Sequence, residues 1–208
     1  MVWKKEKEDF KAELCQILIR IGALKFGTFS LSGGKLSPYY VDLRIVPSIP
    51  EAFSKVGKIY VEMAKNEVGL NNFTRISGIP TAGVPFASIL AFSIAKPFLY
   101  VRKDIKRHGR ERKIEGILHP GDNVLLVDDL ITTGGSLLTA AETIRSEGGV
   151  VKDSLVLIDR LEGGGEALSK AGIHLNYLVE MTEVIEFLYK IGTITKEQYK
   201  DVLKQIKK

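Results

Sequence analysis

The chain has 208 residues, 45% hydrophobic and 26% charged, with a formal net charge of +5; these proportions exclude disorder and fibrous repeats and leave room for one generous globular domain. The single cysteine, Cys15, rules out an internal disulfide. No apolar run approaches the roughly 18 residues that a membrane span needs, and the start, Met1-Val2-Trp3-Lys4-Lys5-Glu6, turns charged and helical instead of opening a signal peptide, so a cytoplasmic protein is expected. The positive balance favours an acidic partner: nucleic acid, a membrane surface or a phosphorylated small molecule.

From the N-terminus, Phe10, Leu14, Ile17, Ile21 and Leu24 recur at helical spacing with charged residues between them, which predicts an amphipathic helix. Cys15 falls inside it and reads as a small buried hydrophobe. Residues 26 to 42 mix aromatic and hydroxyl side chains around Gly33-Gly34 and Pro38, the pattern of short extended pieces joined by a turn. We expect residues 1–45 to form a helix and a small hood, the rest of a single domain running to 208. Phe53, Val56, Tyr60 and Met63 mark a second helix after Pro50, ending near Asn66 to Gly69. The pattern then changes. Arg75 to Ile79, Phe98 to Arg102, Val124 to Val127, Leu155 to Ile158 and Leu175 to Val179 are short apolar runs with the character of buried parallel strands. Phe86 to Ala95 and Ser136 to Ser146 have the length of crossover helices, and Thr195 with Gln198 makes a capping box for a closing helix. The predicted fold is α/β: an open, mostly parallel sheet flanked by helices, with the small N-terminal hood.

Residues 124 to 136 read VLLVDDLITTGGS, a buried strand ending in two acids, then a hydroxyl- and glycine-rich turn, then a helix. Ligands of open parallel sheets gather beyond the carboxyl ends of the strands, where this turn must lie. Gly134 and Gly135 let backbone N–H groups approach an anion, Thr132, Thr133 and Ser136 add hydroxyl donors, and the helix start favours negative charge. Two carboxylates beside a phosphate would repel it without something positive or hydrogen-donating between them, which ribose hydroxyls and a hydrated Mg²⁺ supply. Asp128 and Asp129 are the candidates for that grip; the plainer alternative is an acidic lead-in to a helix. The segment has neither the G-x-G-x-x-G of dinucleotide folds nor the lysine of a P-loop. It resembles the phosphoribosyl pyrophosphate (PRPP) signature of type I phosphoribosyltransferases.

Three further stretches are similar to orotate phosphoribosyltransferases. Phe26-Gly27-Thr28-Phe29 with Ser37-Pro38-Tyr39-Tyr40 looks like that family's hood over the base; aromatic packing within a small lobe is the alternative. Arg102 to Lys113 holds seven lysines and arginines against two acids, and Arg102-Lys103-Asp104-Ile105-Lys106-Arg107-His108-Gly109 resembles the family's catalytic loop. A solvated loop or a nucleic-acid patch would also be basic, but the loop has neither interleaved aromatics nor a basic helix. Asp159-Arg160 before Leu161-Glu162-Gly163-Gly164-Gly165 resembles the family's D-R-x-x-G-G; the alternative for Arg160 is an ion pair with Asp159 or Glu162.

The resemblance implies the type I phosphoribosyltransferase fold and transfer of phosphoribosyl from PRPP to orotate, with Mg²⁺ held mainly through PRPP and water near Asp128 and Asp129. It assigns PRPP contacts to Arg102, Lys103, Lys106, His108, Asp128, Asp129, Leu130, Ile131, Thr132, Thr133, Gly134, Gly135 and Ser136, with Lys106, His108, Asp128 and Asp129 catalytic. Orotate would meet Thr132, Arg160, Tyr39 and Tyr40. A homodimer is implied, Lys103 reaching the neighbouring site, with no nucleic-acid or membrane partner. Ser32 and Ala82 stand where many bacterial relatives have PRPP-contacting lysines. His119 and His174 lack such context and read as structural. A phosphoribosyltransferase for another base, or a PRPP-sensing regulator that has lost catalysis, are the competing readings.

Overall fold

The computed structural model describes residues 2–30, 36–102 and 113–206. The first helix, α1 (Val2–Arg20), buries Leu14, Cys15, Ile17 and Leu18. It ends where Gly22 takes a left-handed φ of 69°, so that the N–H groups of Gly22 and Ala23 return to the carbonyls of Ile19 and Leu18. Burial pushes the Cys15 thiol up to about 12, which leaves it protonated and inert, as its place in the apolar stripe predicts. The hood follows as a hairpin of β1 (Leu24–Ser30) and β2 (Leu36–Val41), antiparallel with Phe26 opposite Tyr39 and a bulge between Phe26 and Phe29. Alternation along β2 buries Ser37, Tyr39 and Val41 on one face and leaves Pro38 and Tyr40 on the other.

After a 3₁₀ turn, Pro50 opens α2 (Pro50–Met63) at a position where its missing N–H costs nothing, and a wider π turn continues it to Val68. The main sheet is built from β3 (Arg75–Gly78), β4 (Phe98–Val101), β5 (Ile114–Glu115), β6 (Val124–Val127), β7 (Leu130–Ile131), β8 (Asp153–Asp159) and β9 (His174–Glu180). Its spatial order is β5, β4, β3, β6, β8, with β9 on the free edge of β8 and β7 continuing the edge begun by β6. All neighbours are parallel except β5, which runs against β4.

Helices cover both faces, which is why the four residues of β6 are all buried. On one face α1, α2, α3 (Gly83–Ser93) and α6 (Met181–Lys190) enclose Tyr60, Phe86, Leu125 and Val127; on the other α4 (Gly135–Ser146) and α5 (Gly164–Lys170) enclose Leu126, Leu137, Ile144 and Val156. Every strand predicted from an apolar run is present within a residue or two of its expected ends. The closing helix α7 (Lys196–Ile206) has its capping box, Thr195 N–H to Gln198 Oε1 at 2.8 Å and Gln198 N–H to Thr195 Oγ1 at 3.2 Å, and packs against β2 of the hood. Short apolar spacing gives no hint of β7, α5 or α6; β7 in particular interrupts what reads as one turn after the acids.

The chain passes from β3 outward to β4 and then back across β3 to β6, so the order reverses between β3 and β6. That switch opens a crevice at the carboxyl ends of these two strands. Their other ends are tied by an ion pair between Arg75 and Asp122, whose carboxylate also accepts from Thr74 Oγ1 at 3.0 Å and from the His119 N–H at 2.7 Å. Partial burial works to raise the Asp122 carboxyl, but these donors outweigh it and hold it below the ordinary 3.8. A depressed carboxyl stabilises the fold above the ordinary value and ceases to do so as pH falls through its own. Asp122→Asn is therefore expected to cost about 2 kcal/mol at neutral pH. In denaturant titrations the gap from wild type should close as pH drops below 3.8; a gap that stays constant to acid pH would mean the charge contributes nothing.

Candidate active site

The crevice is walled by close backbone approaches. The Ile79 N–H donates to Val127 O at 3.0 Å and the Gly83 N–H returns to Ile79 O at 2.9 Å, which folds Pro80-Thr81-Ala82 into a tight turn at the end of β3. A Cβ on Gly83 would stand 2.5 Å from Val127 O and 2.8 Å from Asp128 Cα, closer than any side chain fits. Ala82 caps α3 without a side-chain hydrogen bond, so at this residue only the backbone N–H could serve an anion.

Asp128 and Asp129 sit where the β6 edge breaks before β7. The Asp128 N–H donates to Leu155 O at 3.1 Å and the Leu157 N–H donates to Asp129 O at 3.0 Å, so β8 holds both acids in register. Tyr60, fully buried and stacked on Phe86 with ring centroids 5.5 Å apart, donates its hydroxyl to Asp128 O at 2.7 Å. Burial pushes the Asp129 carboxyl up, against the hydrogen bonds it accepts, which include the Leu130 N–H at 2.9 Å. A carboxylate in that position gains from any cation or hydroxyl donor brought beside it. Among the described residues no three His, Cys, Asp or Glu side chains converge as a metal cage. This donor set fits a Mg²⁺ ion that keeps its waters and takes its remaining oxygens from a phosphorylated ligand.

Beyond β7 the chain turns through Thr132, Thr133 and Gly134 into α4. Gly134, at φ 82°, is the helix N-cap and has no side chain to satisfy the first N–H groups. Thr133, Gly135 and Ser136 are exposed, Thr132 half-buried, and Ile131 buried in the core. Leu130 and Ile131 offer no polar side chain, and their backbone is engaged by Asp129, Arg160 and the pairing with β8.

Two hydrogen bonds join this turn to the loop after β8: Arg160 N–H to Ile131 O at 3.1 Å and Gly164 N–H to Thr132 O at 2.9 Å. A Cβ on Gly164 would lie 2.5 Å from Ile131 Cγ1 and 2.7 Å from Thr132 O. Arg160 is itself 7% exposed. Its guanidinium lies over the Tyr39 ring, 4.9 Å from the centroid, its Nε donates to the Tyr39 hydroxyl at 3.1 Å, and its Nη2 is 2.9 Å from Glu162 Oε1. The ion pair weighed against a ligand role is therefore present, with Glu162, but it is buried. Burial also pushes the Tyr39 hydroxyl up, opposed by Arg160, so it keeps a proton to give.

Tyr40 does not join Tyr39. It faces the other side of the hairpin, its ring 5.6 Å from Phe29 and its hydroxyl accepting from Arg44 Nη2 at 2.7 Å. Arg102 ends β4 with Nη1 2.8 Å from Glu115 Oε1, and its N–H donates to Lys113 O at 2.9 Å, closing the base of the basic segment. Lys103, Lys106, His108 and Ser32 lie outside the described residues. His119 and His174 stand away from the crevice, in the turn before β6 and at the start of β9. Tyr60 escapes sequence reasoning, since a tyrosine in an apolar stripe carries no signal of its own, and Glu162 is named there only as an alternative ion-pair partner of Arg160.

This arrangement coincides with a known family. The phosphoribosyl transferase domain model matches residues 47–175, from the 3₁₀ turn to β9. The chain belongs to the phosphoribosyl transferase family. It is 44% identical over 89% of its length to the orotate phosphoribosyltransferase of Cenarchaeum symbiosum, covering 90% of that protein, and 42% identical over 85% to that of Sulfolobus acidocaldarius, covering 87%. The crystal structure of the orotate phosphoribosyltransferase from Aeropyrum pernix superposes with a TM-score of 0.73 at 33% identity, over 86% of this chain and 99% of that one. UMP synthase of Leishmania donovani gives a TM-score of 0.84 at 32% identity; this chain spans 94% of its own length there and 42% of that protein. The expected type I phosphoribosyltransferase fold is thereby established, with its parallel sheet and N-terminal hairpin.

The closest packing in the phosphoribosyl transferase crevice gives a direct test. Gly83→Ala should displace the Asp128 backbone, lower stability by about 1–3 kcal/mol and weaken binding of PRPP well beyond that of the base. Wild-type PRPP affinity by calorimetry would show that the turn has room to move.

Proposed function

We propose that this chain transfers the 5-phosphoribosyl group of PRPP to orotate, giving orotidine 5′-monophosphate and pyrophosphate, as a Mg²⁺-dependent step of pyrimidine synthesis. The observation that carries this reading is the pair of hydrogen bonds joining the glycine-capped turn of α4 to the Arg160–Tyr39 pocket: one rigid unit presents a phosphate cradle and a planar, cation-lined slot for an anionic base. The base follows from the orotate phosphoribosyltransferases to which the chain is similar.

In the mechanism, the N–H groups at the start of α4, with Thr132, Thr133 and Ser136, hold the 5′-phosphate. Asp128 and Asp129 face the ribose hydroxyls and are the residues that would hold Mg²⁺ beside the pyrophosphate through water. That ion, when bound, offsets pyrophosphate charge. The backbone N–H groups of Thr81 and Ala82, in the turn closed by Gly83, take the pyrophosphate where Ala82 offers no lysine. Arg160 forks onto orotate's carboxylate, a match of planar groups that uracil cannot offer, and the hood covers the ring. The bond from C1′ to pyrophosphate oxygen breaks through an oxocarbenium-like transition state as the ring nitrogen attacks from the opposite face. Arg102, Lys106 and His108 neutralise the departing pyrophosphate and exclude water.

Lys103 is assigned to the neighbouring subunit's site in a homodimer. No helix among the described residues is long and apolar enough to cross a membrane, and we assign the enzyme to the cytoplasm.

Loss of orotate absorbance in the presence of PRPP and Mg²⁺ tests the reaction directly, with uracil and hypoxanthine as alternative bases; equal consumption of uracil would remove Arg160 as the selecting group. Arg160→Ala should raise the KM for orotate at least tenfold, about 1.4 kcal/mol, with less effect on PRPP. Lys106→Ala should lower kcat by about 10², and near-normal turnover would exclude it from the chemistry. Chelation by EDTA should stop turnover and added Mg²⁺ restore it.

A further inference from the structure

A planar guanidinium offers a carboxylate two forks, one across Nε and Nη2 and one across Nη1 and Nη2, and Nη2 belongs to both. In this protein Nη2 of Arg160 already faces a carboxylate, Glu162 Oε1 at 2.9 Å. The contact is an ion pair without hydrogen-bond alignment: Nη2 is buried and makes no aligned hydrogen bond. Both side chains are well shielded from water, at 8% and 12% exposure. The guanidinium does not need Glu162 to hold its place, since the Tyr39 ring and the Tyr39 hydroxyl already fix its plane and its Nε.

We infer that Glu162 stands in for the substrate's carboxylate on Arg160 in the free protein and is displaced when an anionic base binds. This rests on the reading of Arg160 as the group that receives orotate's carboxylate. A buried guanidinium left alone would be costly, and Glu162 offsets that cost while the pocket is empty. Its misaligned contact with Nη2 is the kind a bidentate ligand carboxylate outcompetes, because the ligand makes two aligned, charge-assisted bonds to the guanidinium where Oε1 of Glu162 makes an unaligned one. A neutral base cannot replace the charge that leaves. Glu162 is thus a specificity-determining residue: it lowers affinity for the correct ligand and supplies the partner that an incorrect one fails to displace.

The test uses two product nucleotides that differ only in the carboxylate, orotidine 5′-monophosphate and uridine 5′-monophosphate, bound to the whole protein and followed by calorimetry. Glu162→Gln is expected to tighten orotidine 5′-monophosphate about tenfold, equivalent to about 1.4 kcal/mol, and to leave uridine 5′-monophosphate as in wild type. In an Arg160→Ala background the same substitution should tighten neither. Glu162→Ala, which removes the carboxylate by a different route, should repeat the gain, and circular dichroism confirms that each variant is folded. Weaker or unchanged binding of orotidine 5′-monophosphate would overturn the proposal and make Glu162 a support for Arg160. So would equal tightening of both nucleotides, or tightening without Arg160, since general charge repulsion would then explain it. If wild type binds orotidine 5′-monophosphate no better than uridine 5′-monophosphate, the carboxylate role of Arg160 falls, and this inference with it.

Discussion

Three segments meet closely at the ends of β3, β6 and β8 because glycine stands at each approach, and the site depends on that meeting. Gly83 rests against Val127 and Asp128, and Gly164 against Ile131 and Thr132. The first approach brings the turn after β3 beside the two acids; the second brings the loop of Arg160 beside the phosphate turn. Neither glycine is needed for a left-handed conformation, since neither has a positive φ. What each provides is missing volume. Hydrogen bonds from β8 then lock the acids in register, and the buried Tyr60 hydroxyl fixes the Asp128 carbonyl from the opposite side. Parts of the crevice separated by tens of residues in sequence thereby become one rigid unit, which suits a reaction whose catalysis is mostly positioning and charge.

Much of this was legible in the amino-acid sequence, for physical reasons. A strand buried on both faces must be apolar throughout, so Val124 to Val127 announces itself, and two acids directly after it can only stand at the strand's end. The Gly134-Gly135 pair marks a helix start that no side chain caps. Arg160, Tyr39 and Tyr40 are indicated by resemblance to family motifs. Neighbours in a strand point to opposite faces, however, and only Tyr39 reaches Arg160.

Other features leave no trace in a linear reading. The close approach of Gly83 to Asp128, 45 positions later, and the hydrogen bond of Tyr60 to the same residue exist only once the sheet is assembled. The two-residue β7 is too short to show a period of its own and exists because β8 extends past β6 and offers it a partner. For Glu162 the sequence offers only an alternative ion pair with Arg160; that the pair is largely shielded from water is set by the fold. The basic segment from Lys103 to Arg112 remains interpretable from composition and resemblance alone, being outside the described residues.

The packing of α7 on β2 carries a consequence for how the molecule is made. The hood is made before the main sheet, and the helix that braces it is made after it. Until then β1 and β2 form a two-stranded hairpin, which is marginal in water on its own, and before β8 is made Tyr39 has no Arg160 to rest on. The parallel sheet can begin to collapse during synthesis, since β3, β4 and β6 follow one another closely. The Arg160–Tyr39 contact cannot. It joins residues 121 positions apart, so the glycine-capped turn before α4 is made before the hood has anything to close against.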